Sequence, residues 1–242
     1  MKTPVEEKPA LRRFYKTAAY RQADGEPGFC IVLDGRQVRT PAKAVLQVPS
    51  EPLAKAIAAE WDAQGDTVKP ETMALTQIAG TAIDKVMVSL EENRVVISGY
   101  AQTDLLCYRA EGPADLVAHQ HKTWQPYLDW LARRFDAPLR VTSGILALEQ
   151  PAESLASLES HVDRLEPFPL TALSLLTHAL GSLVLGLAVA DQHASPKRVW
   201  EAAFLDEIWQ EERWGQDEEA GLRRAALLAD IEDAARFLSL LK

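Results

Sequence analysis

Cysteine, histidine and clustered glycine are what this sequence has least of, and each shortage excludes something. Its 242 residues include two cysteines, Cys30 and Cys107, with no CxxC pairing. Two plain thiols in a reducing compartment are therefore expected, not a disulfide framework. Twelve glycines are scattered along the chain. None falls in a phosphate-cradling loop, and GxGxxG, the P-loop, the GxSxG elbow and HExxH are all missing, which removes the strongly signalled enzyme classes. The five histidines offer no ligand set. His119 and His121 are two apart on an expected helix and point to different faces. His161 and His193 lack a carboxylate or cysteine at ligand spacing. His178, among Leu175, Leu176, Ala179 and Leu180, reads as a core histidine with a hydrogen-bond partner. Neither a metal nor a cofactor is expected.

The start, Met1-Lys2-Thr3-Pro4-Val5-Glu6-Glu7, has no apolar run and carries early acids, so no targeting segment and a cytoplasmic location are expected. One stretch needs a membrane test. Pro167 to Ala190 has no Asp, Glu, Lys or Arg, and Leu170–Ala190 is long enough to span a bilayer. Thr171, Ser174, Thr177, His178 and Ser182 interrupt it, however, and its flanks are Glu166 and Asp191 instead of Lys or Arg. It reads as the central helix of a bundle, apolar on all sides, with no stable membrane insertion.

Charge is uneven. The net value is −9. Between Glu201 and Asp233 eleven acids face three arginines, Arg213, Arg223 and Arg224, whereas the first 43 residues carry nine Lys or Arg against five acids. Nucleic acid is a poor partner for such a chain, because neutralising phosphates needs a cationic face. A basic protein partner for the acidic end fits, as does a solvated helix face that serves solubility.

The first fifty residues read as β. Phe29 to Leu33 is a compact apolar run, Asp34-Gly35 a two-residue hairpin turn and Arg36-Gln37-Val38 the return strand. Lys16–Arg21 and Val45–Val48 are further strand candidates. Ser50 then reads as the cap of a helix that Gly65 ends. Beyond about Thr81 helical spacing dominates: Ser89–Tyr100, Ala114–Phe135, Ala152–Leu165, Leu170–Ala190, Pro196–Trp214 and Asp217–Leu240, with Leu139–Thr142 a strand or a connector. The expected fold is α+β: a small β-rich domain over 1–83, then an all-α domain over 84–242.

Two constellations bear on function. In Thr103–Arg109, Asp104 stands near Tyr108 and Arg109. It reads as an ion pair tying the two domains together or, alternatively, as the acidic centre of a small-molecule enzyme site between them. In Ser195–Gly215, a capped proline opens a helix that, counted at 100° per residue, places Trp200, Ala203, Glu207, Gln210, Glu211 and Trp214 on one side. Carboxylates between tryptophans require an Arg, Lys, backbone donors or water. The face is either an internal ion-pair seam or a docking surface anchored by tryptophan.

From this helix backwards the chain resembles a known family. Glu201-Ala202-Ala203, Asp206-Glu207-Ile208-Trp209-Gln210 and Trp214-Gly215 resemble the C-terminal signature of the ATP synthase assembly chaperones that act on the free alpha subunit of the catalytic head, the mitochondrial assembly factor 2 type. Arg13-Phe14-Tyr15-Lys16, Leu33-Asp34-Gly35-Arg36 with Thr40-Pro41, Glu60-Trp61-Asp62-Ala63-Gln64, Met73 to Thr76, Thr81 to Asp84, Thr103 to Arg109, Gln120 with Trp124 and Pro126, and His178-Ala179 with Ser182-Leu183 extend the likeness over nearly the whole chain. The resemblance implies an orthogonal helical bundle after the α+β domain, no catalytic centre, a bacterial cytoplasmic relative, and a role in shielding the surface of the alpha subunit that later meets beta; a monomer is expected. Carried over by position, it makes Glu207, Gln210, Trp214 and Gly215 candidates for partner binding. Trp200 and Glu211 join them from the same helix, and Trp61 is assigned to folding.

Overall fold

The structure, a computed structural model, describes residues 11–25, 27–144, 148–215 and 217–242. The segment Met1–Glu7, where no leader is expected, lies outside them. The chain divides into two compact units: one runs to Asp84 and takes in Leu240–Lys242, and the other is Lys85–Ser239. The fold is α+β, with a small sheet in the first unit and a helical second unit.

In the first unit, β1 (Ala18–Gln22), β2 (Phe29–Leu33), β3 (Arg36–Gln37) and β4 (Gln47–Val48) form an antiparallel sheet around β2, which pairs with all three others. The hairpin turn is the one the sequence calls for: Asp34 and Gly35 both take positive φ, 47° and 80°, the twist that matches flanking strands. Asp34 also accepts the amides of Lys16 and Thr17 at 3.1 and 2.9 Å. These bonds hold its carboxyl below the usual range. Helix α1 (Glu51–Asp62) starts at Ser50, whose hydroxyl accepts the Leu53 amide, and buries Leu53, Ala54, Ile57 and Ala58. Helix α2 (Ala74–Thr81) is additional to the expected elements. Its start is fixed from outside its own sequence: Glu60, in the last turn of α1, accepts the amides of Leu75 and Thr76, each at 2.8 Å.

The second unit contains α3 (Leu90–Gly99), β5 (Tyr108–Arg109), α4 (Ala114–Phe135), β6 (Thr142–Ser143), α5 (Ala152–Asp163), α6 (Pro167–Leu180), α7 (Leu183–Ala190), α8 (Pro196–Ala203), α9 (Leu205–Trp214) and α10 (Glu218–Leu240). The two short strands pair in parallel.

Two expected helices are each broken in two. The run Leu170–Ala190 stops at Gly181, which caps α6 in the left-handed conformation at φ 62°, and restarts at Ser182, whose hydroxyl accepts the Leu185 amide. Leu183 through Val189 are all buried, so α7 is the helix apolar on every side. Among the described residues no helix is long and apolar enough to cross a membrane. The second break is at Phe204, which leaves helical geometry at φ −100°, ψ 17° and is itself buried.

Helices α6 and α7 meet closely at Gly186. A β-carbon there would lie 2.9 Å from Thr177 Oγ1 and 3.3 Å from Leu173 Cδ1. Gly186→Val is expected to lose about 1–3 kcal/mol through overpacking, read as a lower urea midpoint at unchanged slope.

Candidate functional site

Helices α8 and α9 are held in place from beneath. Helix α8 turns Val199 and Ala202 into the core, and the Trp124 indole on α4 donates to the Ala202 carbonyl at 2.7 Å. Helix α9 buries Leu205 and Trp209. The buried Gln120 of α4 donates to both oxygens of Asp206, at 2.8 and 3.1 Å, and accepts the Ala110 amide. Near the far end Arg213 lies 3.6 Å over the Trp209 ring and pairs with Asp115 of α4. Together these contacts fix the outer edge of α9 as a defined surface.

The partner that the carboxylates require comes from α10. Glu207 Oε2 accepts Arg223 at 2.7 Å and Arg224 at 3.1 Å, while the other terminal nitrogen of Arg224 donates to Glu211. Exposure decides which member matters most. The side chain of Arg224 is 6% exposed, that of Glu211 20% and that of Glu207 41%, so Arg224 is the buried hub. Its hydrogen bond to Glu211, then that to Glu207, raises its pKa further against the opposing effect of burial. The second Glu211 oxygen, Oε1, is buried without a hydrogen-bond partner. Trp200 joins the same hub: its indole donates to the Arg224 carbonyl at 2.9 Å.

The six candidate residues thus separate into two groups. Trp200, Glu207 and Glu211 gather around Arg224, and their polar atoms serve the fold. Gln210, Trp214 and Gly215 stand exposed at the free end of α9. Trp214 is 74% exposed and meets Trp209 edge-on at 5.7 Å. Gly215 ends the helix at φ 103°, a value that favours glycine, with its amide on the Glu211 carbonyl. Of the face counted through Trp200, Glu207 and Trp214, Trp200, Glu207 and Glu211 stay together around Arg224 across the break at Phe204, and Trp214 lies exposed beyond them.

Comparison with known proteins decides the family. The model of the ATP12 chaperone protein family matches residues 12–132. The crystal structure of Atp12 from Paracoccus denitrificans matches with a TM-score of 0.93 at 40% identity, covering 96% of this chain and 99% of that one.

The chain belongs to the ATP12 chaperone family.

An Agrobacterium tumefaciens protein described as a candidate chaperone also matches at a TM-score of 0.93 and 39% identity, over 98% of this chain and 88% of that one. The mitochondrial protein atp12 of Schizosaccharomyces pombe is 26% identical over 224 residues, 88% of this chain and 76% of that protein. The family-model match ends within α4, so for α8 to α10 the likeness to ATP12 proteins comes from the matches that span nearly the whole chain.

Several of the motifs that resemble the ATP12 family do structural work here. Arg13 donates to the carbonyls of Tyr15, Asp62 and Gln64. Tyr15 donates to the Trp61 carbonyl at 2.6 Å and packs edge-on against its ring at 5.7 Å. Asp84 accepts the Thr40 hydroxyl at 2.6 Å. These side chains are spent inside the first unit.

Two sequence expectations need correction. Among the described residues Asp104 and Arg109 do not pair: both lie in the Lys85–Ser239 unit, and each takes other partners there. Asp104 is fully buried, accepting the Ser182 hydroxyl at 2.8 Å and the amides of Leu106 and Val184 at 3.1 Å each. Arg109 donates instead to the Gln120 carbonyl at 2.8 Å and stacks 5.0 Å from the Trp124 ring. Lastly, His178 is exposed, its Nδ1 bonded to the Ser174 carbonyl at 2.7 Å and its ring edge-on to Tyr100. It lies outside because α6 turns Leu170, Leu173, Leu176 and Leu180, not this position, inward. What sequence reasoning missed is Arg224, the centre of the network; its signal was only that the two carboxylates needed an Arg or Lys, backbone donors or water.

Proposed function

We propose that this ATP12-family protein is a monomeric, non-enzymatic assembly chaperone of the F-type ATP synthase. It acts in the cytoplasm, where it holds the unassembled alpha subunit and shields the surface that beta later covers. The observation that carries this reading is Trp214: a large aromatic side chain, 74% exposed, at the end of α9. Interface energy concentrates in such anchors, and tryptophan is the residue most enriched among them. A free subunit with an apolar interface tends to self-associate, so a cap that binds this surface and yields to the final partner prevents that loss.

The test is size-exclusion co-migration with isolated alpha subunit, with beta alone and the assembled head as controls. Co-migration with alpha that beta abolishes is expected; no complex at tens of micromolar, where even weak interfaces register, overturns the reading. Trp214→Ala is the variant that separates docking from folding, because its side chain is 74% exposed and meets the core only at the ring of Trp209. It is expected to weaken alpha binding about thirtyfold, the effect of a ~2 kcal/mol hot spot, with an unchanged melting temperature. Glu207→Lys cannot make this separation, since it sets a cation against the buried Arg224.

A further inference from the structure

A groove of about 830 Å³ lies within the second unit, lined from α4, α8, α9 and α10. Its volume is in the range of ligand clefts, about 300–1,000 Å³. Trp200, Leu205, Ile208, Tyr127 and Pro126 supply apolar surface. Proline has no amide hydrogen, so Pro126 cannot give the Lys122 carbonyl the usual bond from one turn later in α4.

The charges of the groove are unequal in kind. Arg224 and Glu211 compensate one another. Lys122 and Arg198 are exposed and, among the described residues, join no ion pair; only Glu201 opposes them in the lining. These two cations border the most acidic stretch of the sequence, Glu201–Asp233. An acidic partner segment is repelled by that stretch and favoured at the cations, which gives the groove a preferred charge.

We propose that this groove seats an extended segment of a partner protein in which apolar side chains alternate with carboxylates. The apolar groups lie on Trp200, Leu205 and Ile208, and the carboxylates meet Lys122 and Arg198. That the partner is the alpha subunit rests on the chaperone reading above.

The test uses the full chain and two fluorescein-labelled peptides of about ten residues, one alternating Leu with Asp and the other alternating Leu with Lys, followed by anisotropy. The wild type is expected to bind the Leu/Asp peptide at least about tenfold more tightly than the Leu/Lys peptide, the preference shrinking as salt rises. The double variant Lys122→Glu, Arg198→Glu is expected to reverse the preference at unchanged melting temperature. Equal binding of both peptides, an unreversed preference in the double variant, or a second copy of the chain occupying the groove as a dimer that Leu/Asp peptide does not dissociate overturns the proposal. Isolated alpha subunit then distinguishes the two readings. Capture of alpha by the wild type and equally by the double variant removes the groove and leaves the chaperone role standing. A reversible peptide preference without capture of alpha leaves the groove standing and removes alpha as its partner.

Discussion

Asp104→Ala is expected to lower the stability of the protein by about 3 kcal/mol at neutral pH, a fall of roughly 6–12 °C in melting temperature for a chain of this size. The figure is a difference between two opposed effects. The substitution strands the buried Leu106 and Val184 amides and deprives the Ser182 hydroxyl of its acceptor. Each unsatisfied buried group costs about 1–3 kcal/mol. Against this, burial pushes the Asp104 carboxyl up to about 6 from 3.8 in spite of the hydrogen bonds that lower it. Relief from burying that charge returns roughly 3 kcal/mol at 1.36 kcal/mol per pH unit. The stranded donors outweigh the relief because α7, whose first turn Asp104 holds, is the most buried helix of the unit.

The sign of the pH dependence follows. A carboxyl whose folded pKa is raised binds its proton more tightly in the folded form, so its contribution to stability is greatest below about 3.8 and declines as pH rises through about 6. Wild-type protein is expected to lose this increment over that window, and Asp104→Ala to lack it. Urea unfolding of both proteins at pH 4, 5, 6 and 7 measures the gap; a gap that stays constant over this range removes the assignment to Asp104.

Asp104 also marks the limit of what the sequence discloses. Local features were legible because they are decided by neighbouring residues: the Asp34-Gly35 turn, the Ser50 cap and the full span of α4 all follow from short-range rules. The break at Gly181-Ser182 was written in two residues with known preferences. An unbroken apolar run overrode them, since a buried helix and two buried helices have the same composition. Direction was not legible at all. Asp104 and Arg109 are close in sequence, yet the backbone turns them to different partners, Ser182 being 78 positions away from Asp104. The acid–tryptophan helix lies between these cases. The need of Glu207 and Glu211 for a cation follows from the cost of burying charge. The choice of Arg224, the kink at Phe204 and the resulting split between structural and exposed candidates follow only from tertiary packing.

Removing Arg224 tests that split most severely. Arg224→Met keeps the length of the side chain and the backbone carbonyl to which Trp200 donates, and deletes only the charge and its hydrogen bonds. Glu207 is 41% exposed and retains Arg223, so it reaches water and a cation. Glu211 is 20% exposed and Arg224 is its ion-pair partner, so it carries most of the penalty. Breaking a buried pair from one side costs about 3–5 kcal/mol. Solvent access at Glu207 and partial access at Glu211 bring the expectation to about 3 kcal/mol, read from urea unfolding. Adding Glu211→Gln is expected to recover about 2 kcal/mol, because the uncompensated charge is then gone; simple additivity of the two losses would show that the pair is not the source. Client binding gives the functional reading of the same cycle. If α9 docks through Trp214 and needs α10 only for support, the stabilised double variant binds alpha subunit as the wild type does. If it remains folded and fails to bind, Glu211 and Arg224 touch the client themselves, and the boundary drawn here between support and docking surface moves inward to the hub.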